Sequence, residues 1–134
     1  MVQKADVPDN KKNNFTEEDP GELFKTIVNT LIERKGEQVT HLDLREITTL
    51  ADHFIICNGL SETHVKSLAD EVSEKTRETV GEKPWRKEGL ETRRWIVLDF
   101  VNIVVHIFRE ETREHYALEK MWSDAPRKNF DKEI

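Results

Sequence analysis

At 134 residues the chain has the length of one domain whose core is large enough to need no disulfide or metal staple. Hydrophobic and charged residues each make up 36%, polar for a globular protein, which points to loose ends around a compact middle. A net charge of −6 repels phosphate backbones, so direct nucleic-acid binding is not required and a basic protein partner is favoured, alongside the plain role of charge in solubility.

Cys57, the single cysteine, sits in "HFIICN" and reads as a small buried residue of a reducing compartment. No apolar run has the length of a membrane span. The start, "MVQKADVPDNKKNNFTEED", has acids and no apolar stretch, unlike a secretory or organellar leader. A cytoplasmic protein is expected.

Residues 1–18 lack periodicity and read as a flexible tail. The domain is expected over 19–123. Asp19 is positioned to cap a first helix with Pro20 at its first position. Leu23, Phe24, Ile27, Val28, Leu31 and Ile32 recur at helical spacing, and Gly36 is the expected left-handed stop. In "QVTHLDLRE" Thr40, Leu42 and Leu44 alternate with His41, Asp43 and Arg45, the pattern of a strand with one polar face. "HFIICN" is a second, short apolar strand ended by Asn58 and Gly59. Ser61 caps a long helix through Val80, with Val65, Leu68, Ala69, Val72, Thr76 and Val80 inward. "PWRKEG" suggests a short strand. "RWIVLDF" and "NIVVHIF" are apolar on both faces and close enough for a hairpin. A helix over 109–122 closes the domain, and residues 124–134 read as a second flexible tail. The order predicts an α/β fold: one mixed sheet of about five strands between helices.

Searching for chemistry yields little. The sequence has no phosphate-gripping Gly-rich loop, no nucleophile elbow, and no histidine or cysteine spacing that suits a metal, so no cofactor and no metal site are expected. "ICNGLSETH" does imitate a nucleotidyltransferase, in which a Gly-Ser turn before a helix holds phosphate. Such enzymes also need paired carboxylates one residue apart on the next strand, whereas "WIVLDF" offers Asp99 alone. A helix cap after a tight turn is the favoured reading, and a metal-dependent enzyme with degenerate motifs is the alternative.

Residues 101–122 hold the most informative side chains. His106 shares a strand face with Val104 and Phe108, either as a core-edge histidine with one backbone partner or as a polar anchor at an interface rim. Continued as one helix, 109–122 places Leu118, Met121 and Trp122 on one side, near His115. Arg109, Arg113, Tyr116 and Lys120 fall on the other. The first stripe is expected on the sheet. The second has the composition of an interface anchor, or else of ordinary helix-surface ion pairs.

Taken together, "LDLRE", "ADHFIICNGLSETHVKSLAD", "EG", "WIVLDF" and "IVVHIFREETREHYALEKMW" resemble the ribosomal silencing factor (Iojap-like) family over roughly residues 20 to 123. The matching positions include Asp52, His64, His106, Phe108, Arg113, Tyr116, Leu118, Glu119 and Trp122. The resemblance implies a nucleotidyltransferase-like fold without catalytic carboxylates. It also implies binding to the large ribosomal subunit through large-subunit ribosomal protein fourteen, a block to small-subunit joining and repression of translation. A homodimer away from the ribosome is implied as well. A dimerisation module with no ribosomal role is a third reading. Trp95, Asp99, Phe100, His106, Arg113 and Tyr116 are the expected partner-binding residues. One position departs from the family: its hairpin carries Gly-Asp where this chain has Val101-Asn102. A β-branched residue disfavours positive φ, so the turn is expected to differ or the hairpin to lengthen.

Overall fold

The computed structural model describes residues 21–130, so the expected N-terminal tail, the Asp19 cap and Pro20 lie outside the described residues. In chain order the elements are α1 (Glu22–Glu33), β1 (Glu37–Asp43), β2 (His53–Gly59), α2 (Glu62–Val80), β3 (Arg86–Glu88), β4 (Trp95–Asp99), β5 (Ile103–Arg109), α3 (Glu110–Tyr116), α4 (Leu118–Met121) and β6 (Arg127–Phe130). The strands form one mixed sheet in the order β3-β4-β5-β2-β1-β6. Only β2 and β5 run parallel, with Ile56 opposite His106 and Phe54 opposite Val104. The other neighbours are antiparallel.

Alternation along the two central strands builds two cores. Ile55 and Cys57 of β2 and Ile103, Val105 and Ile107 of β5 point to a first face, where the apolar stripes of α1 and α2 cover them. Ile56 and Phe108 point to a second face with Leu42 and Leu44, beneath Leu118 and Ala125. Burial pushes the Cys57 thiol up to about 12, as expected of an inert core cysteine.

Four local features differ from the sequence reading. The left-handed residue after α1 is Lys35 (φ 69°), not Gly36. The expected C-terminal tail instead supplies a sixth strand: residues 127–130 pair with β1 through backbone bonds, and Phe130 lies 6.4 Å from Phe24. "RKNF" carries no apolar strand periodicity, because Phe130 alone of its side chains packs against the core and the strand is held mainly through its backbone. The helix expected over 109–122 breaks at Ala117, which is left-handed (φ 49°). That break rotates the two stripes. Arg113, expected outward, is buried, and Met121, expected on the sheet, is 67% exposed.

The β4–β5 connection is the fourth. It does not lengthen to suit a β-branched residue. Asn102 N–H donates to Phe100 O (3.1 Å) around Val101, whose φ is 81°. This is a γ-turn of the positive-φ kind, a rare and strained form. Asp99 Oδ1 stabilises it by accepting from Val101 N–H (2.8 Å). A valine here costs ~1–3 kcal/mol. Val101→Gly is therefore expected to raise stability by about 1 kcal/mol in urea denaturation, the gain being trimmed by glycine's extra unfolded-state entropy. An unchanged or lower midpoint would mean that the turn is not strained.

Candidate functional site

Arg113 is the polar centre of the second face. Its Nε and Nη2 both donate to Glu119 Oε2, Nη1 donates to Gln38 O (2.9 Å) and Asn58 Oδ1 (3.0 Å), and Nη2 donates to Thr40 Oγ1 (3.1 Å). All five guanidinium N–H groups thus have acceptors, which a buried cation needs if it is not to destabilise the fold. The four acceptor residues come from three elements, Gln38 and Thr40 both from β1. Gln38 sits in a β1 irregularity with φ 52°, which turns its carbonyl toward Arg113. Asn58 ends β2, and Glu119 belongs to α4. Thr40 Oγ1 also lies 3.2 Å from Asn129 Oδ1 of β6. Burial pulls the Glu119 carboxyl up, but hydrogen bonds from Arg113 and its charge outweigh that and hold it below the ordinary carboxylate value.

With Arg113 fixed, the rings around it fall into a row across β4, β5 and β2. Tyr116 lies 4.8 Å from Trp95, and Trp95 lies 4.8 Å from Phe108. His106 lies 4.5 Å from Phe54, and Phe54 lies 6.1 Å from Trp122 in edge geometry. Trp95 Nε1–H donates to His106 Nδ1 (3.1 Å). An accepting Nδ1 assigns the remaining proton to Nε2, which has no hydrogen-bond partner among the described residues. Burial alone pushes the imidazole down to about 3, so it is neutral at pH 7. His106 is thus a core-edge histidine, but its partner is an indole rather than the backbone. It orients the large half-buried Trp95 ring, which lies between Tyr116 and Phe108 in the row.

Beyond the row the sheet stays open. Val97, Asp99 and Val104 stand on the second face of β4 and β5 and are part-exposed, as are Phe54 and Trp122 beside them. This aromatic and aliphatic strip, bordered by Asp99 and Glu88 with Arg86 3.8 Å and 3.6 Å from them, has the make-up of a docking surface.

The nucleotidyltransferase-like turn is closed by its own side chains. Leu60 N–H donates to His64 Nδ1 (2.9 Å), and His64 N–H donates to Ser61 Oγ (3.0 Å). His64 Nε2 is then the protonated nitrogen and donates to Arg34 O (3.0 Å). The Leu60 and His64 N–H groups are thereby occupied, and His64 ties the turn to the end of α1. Gly59 is required because a Cβ there would lie 2.7 Å from Val65 Cγ2. Asp43 and Asp99 do not converge: Asp43 pairs with Arg45, whose hydrogen bonds hold it down at about 2, and Asp99 serves its own turn. Among the described residues no group of three or more His, Cys, Asp or Glu side chains is placed to hold a metal ion.

Of the six residues expected at the partner surface, Trp95, Asp99 and His106 share the second face and Tyr116, 50% exposed, closes its end. Phe100 lies in the first core, Arg113 in its buried network, and His106, though on the second face, is as buried as Arg113 at 6% exposure, so none of the three is a surface group. Sequence reasoning missed Phe54, Val97, Val104 and Trp122. Phe54 meets Val104 only through the β2–β5 register, which alternation within one strand does not give.

The mixed-sheet α/β fold is shared by solved structures. A crystal structure from Chromobacterium violaceum superposes with a TM-score of 0.72 at 31% identity, covering 75% of this chain and 83% of that one. One from Bacillus halodurans gives 0.70 at 36% identity, covering 81% and 97%. The family described as "Ribosomal silencing factor during starvation" matches residues 17–134, and the chain belongs to it. It is 41% identical over 105 residues to a ribosomal silencing factor of Halalkalibacterium halodurans, covering 78% of this chain and 89% of that relative.

Removing one half of the buried ion pair strands the other. Arg113→Met is expected to cost ~3–5 kcal/mol, with partial recovery in Arg113→Met/Glu119→Leu. A cost under about 1 kcal/mol in urea denaturation would rule out the network as the anchor of α3 and α4. A second expectation concerns pH. Burial lowers His41 to about 4, His53 below its ordinary value and His106 to about 3. Below about 6.5 the unfolded chain therefore binds protons that the folded chain refuses. Stability is full above that pH and falls as pH drops, by ~1.4 kcal/mol per unit for His106 alone. Equal urea midpoints at pH 7 and pH 5 would contradict this.

Proposed function

We propose that this protein silences translation by occupancy: the open second face docks on large-subunit ribosomal protein fourteen, and the bound domain keeps the small subunit from joining. The carrying observation is the part-exposed strip of Phe54, Trp95, Val97, Val104 and Trp122 in a chain of the ribosomal silencing family. The rings supply a centre that loses water on contact, and the carboxylates at the border orient a basic partner. A net charge of −6 favours the same encounter. Micromolar binding corresponds to about 8 kcal/mol, which an interface of ordinary size provides. Nothing in this role asks for turnover, a metal or a cofactor. The reading places the protein in the cytoplasm, with a homodimer as its form away from the subunit. Among the described residues no helix is long and apolar enough to cross a membrane.

Sedimentation with purified large subunits tests the proposal. The chain is expected to co-sediment, and to slow joining of added small subunits as followed by light scattering. Val104→Asp, which sets a charge in the strip, and Trp95→Ala are each expected to weaken binding at least tenfold, about 1.4 kcal/mol. Large subunits stripped of protein fourteen should not capture the chain. Failure of the parent chain to sediment with intact large subunits would sink the reading. Saturable heat on titration with Mg²⁺ and ATP would favour the enzyme alternative instead.

A further inference from the structure

Two costs that folding does not require meet at one end of the open face. Val101 holds a left-handed γ-turn that a β-branched residue resists, yet its side chain is 57% exposed and belongs to no core. Leu50, in the β1–β2 connection, is 74% exposed, with Ile47 at 39% three residues before it. Those two connections are fastened together. Asn102 O accepts both Asp52 N–H (2.9 Å) and His53 N–H (3.0 Å), so the segment carrying Leu50 and the turn carrying Val101 share one carbonyl. Asp99 Oδ1, by holding Val101 N–H, fixes how that side chain is presented. The strip of Val97, Val104 and Phe54 begins where this tip ends, because Asp99 is opposite Val104 and Phe54 is two residues from Asp52.

We infer that Val101 and Leu50 are contact residues for the ribosomal partner, forming an apolar tip that extends the docking face past its sheet. Asp99 is the positioning residue of that tip. The occupant is the basic protein surface of the large subunit, because the Asp52 carboxylate stands two residues from Leu50 in a chain of net charge −6, whereas Asp99 is engaged by Val101 N–H and by Arg86 at 3.8 Å. Strain kept at an exposed apolar position fits a site selected for contact rather than for stability. Glycine would make the turn more easily and offer nothing to touch.

This inference rests on the docking reading of the face, and one set of binding measurements separates the two. Dissociation constants for purified large subunits are measured with the full chain, Val101→Gly, Leu50→Ser and Leu60→Ser. Leu60 is 70% exposed at the opposite end of the sheet. The expected result is binding about tenfold weaker for Val101→Gly and Leu50→Ser, with Leu60→Ser unchanged. Val101→Gly is expected to be at least as stable as the parent in urea, so its loss of affinity is not a loss of fold. If the parent binds and both tip variants bind equally well, the tip is not a contact and the inference is overturned while the docking reading stands. If the parent ignores large subunits, both fall. If the tip variants instead abolish only self-association seen in sedimentation velocity, a second copy is the occupant and the inference is overturned.

Discussion

A guanidinium under the sheet's second face decides how the last third of the domain is arranged. Arg113 is 6% exposed, and a charge that deep is tolerated only when every donor is met and an opposite charge is close. Meeting that demand draws in the displaced carbonyl of Gln38, the amide oxygen of Asn58, the hydroxyl of Thr40 and the carboxylate of Glu119. Ala117 takes a left-handed conformation between Arg113 and Glu119, so both side chains reach the same point from two short helices. A straight helix would carry one of them away from the sheet.

The same break sets the aromatic row. Tyr116 ends α3 beside Trp95, and Trp122 follows α4 beside Phe54, so the two helices hold rings at both ends of a strip whose middle is left open. His106 links the row to the sheet. It is neutral, takes the indole N–H, and keeps Trp95 in place without adding a charge to an apolar surface. At the far end of β2, by contrast, Ser61 and His64 occupy two backbone donors of the turn that imitates a phosphate site. That turn is tied down by its own side chains, and the uncovered apolar strip lies on the second face. That distribution suits a domain that acts by touching another protein.

Much of this is legible in the residues. Stripes such as Phe24-Ile27-Val28-Leu31 and Val65-Leu68-Ala69-Val72 fix α1 and α2, whereas the cover that strands apolar on both faces announce is only partial on the second face. What escapes depends on long-range partners. Arg113 looks like a surface cation until Asn58 and Gln38, far off in sequence, are brought beneath it. "RKNF" becomes a strand because β1 presents an unpaired edge, a property of β1 rather than of those four residues. Val101 resists sequence reasoning for the opposite reason: propensity argues against positive φ there, and the tight β4–β5 connection overrides it. "EG" reads in the sequence only as a motif. Its Gly89 proves necessary because, at φ 83°, any Cβ would lie 1.9 Å from Trp95 O. Of the expected surface residues, Trp95, Asp99 and Tyr116 fall together, and His106 is buried beside Trp95. Phe100 does not join them, because it sits one step along the strand from Asp99 and so on the other face.

Hydroxyl-radical footprinting of the full chain, alone and saturated with large ribosomal subunits, bears most directly on which surface does the work. Oxidation of Phe54, Trp95, Val104 and Trp122 should fall sharply on binding, with Leu60 and the outer side of α2 left as reactive as before. Protection confined to Leu60 and α2, with those four side chains unaffected, would show that the protein meets its partner through a different face and would contradict docking through the aromatic strip.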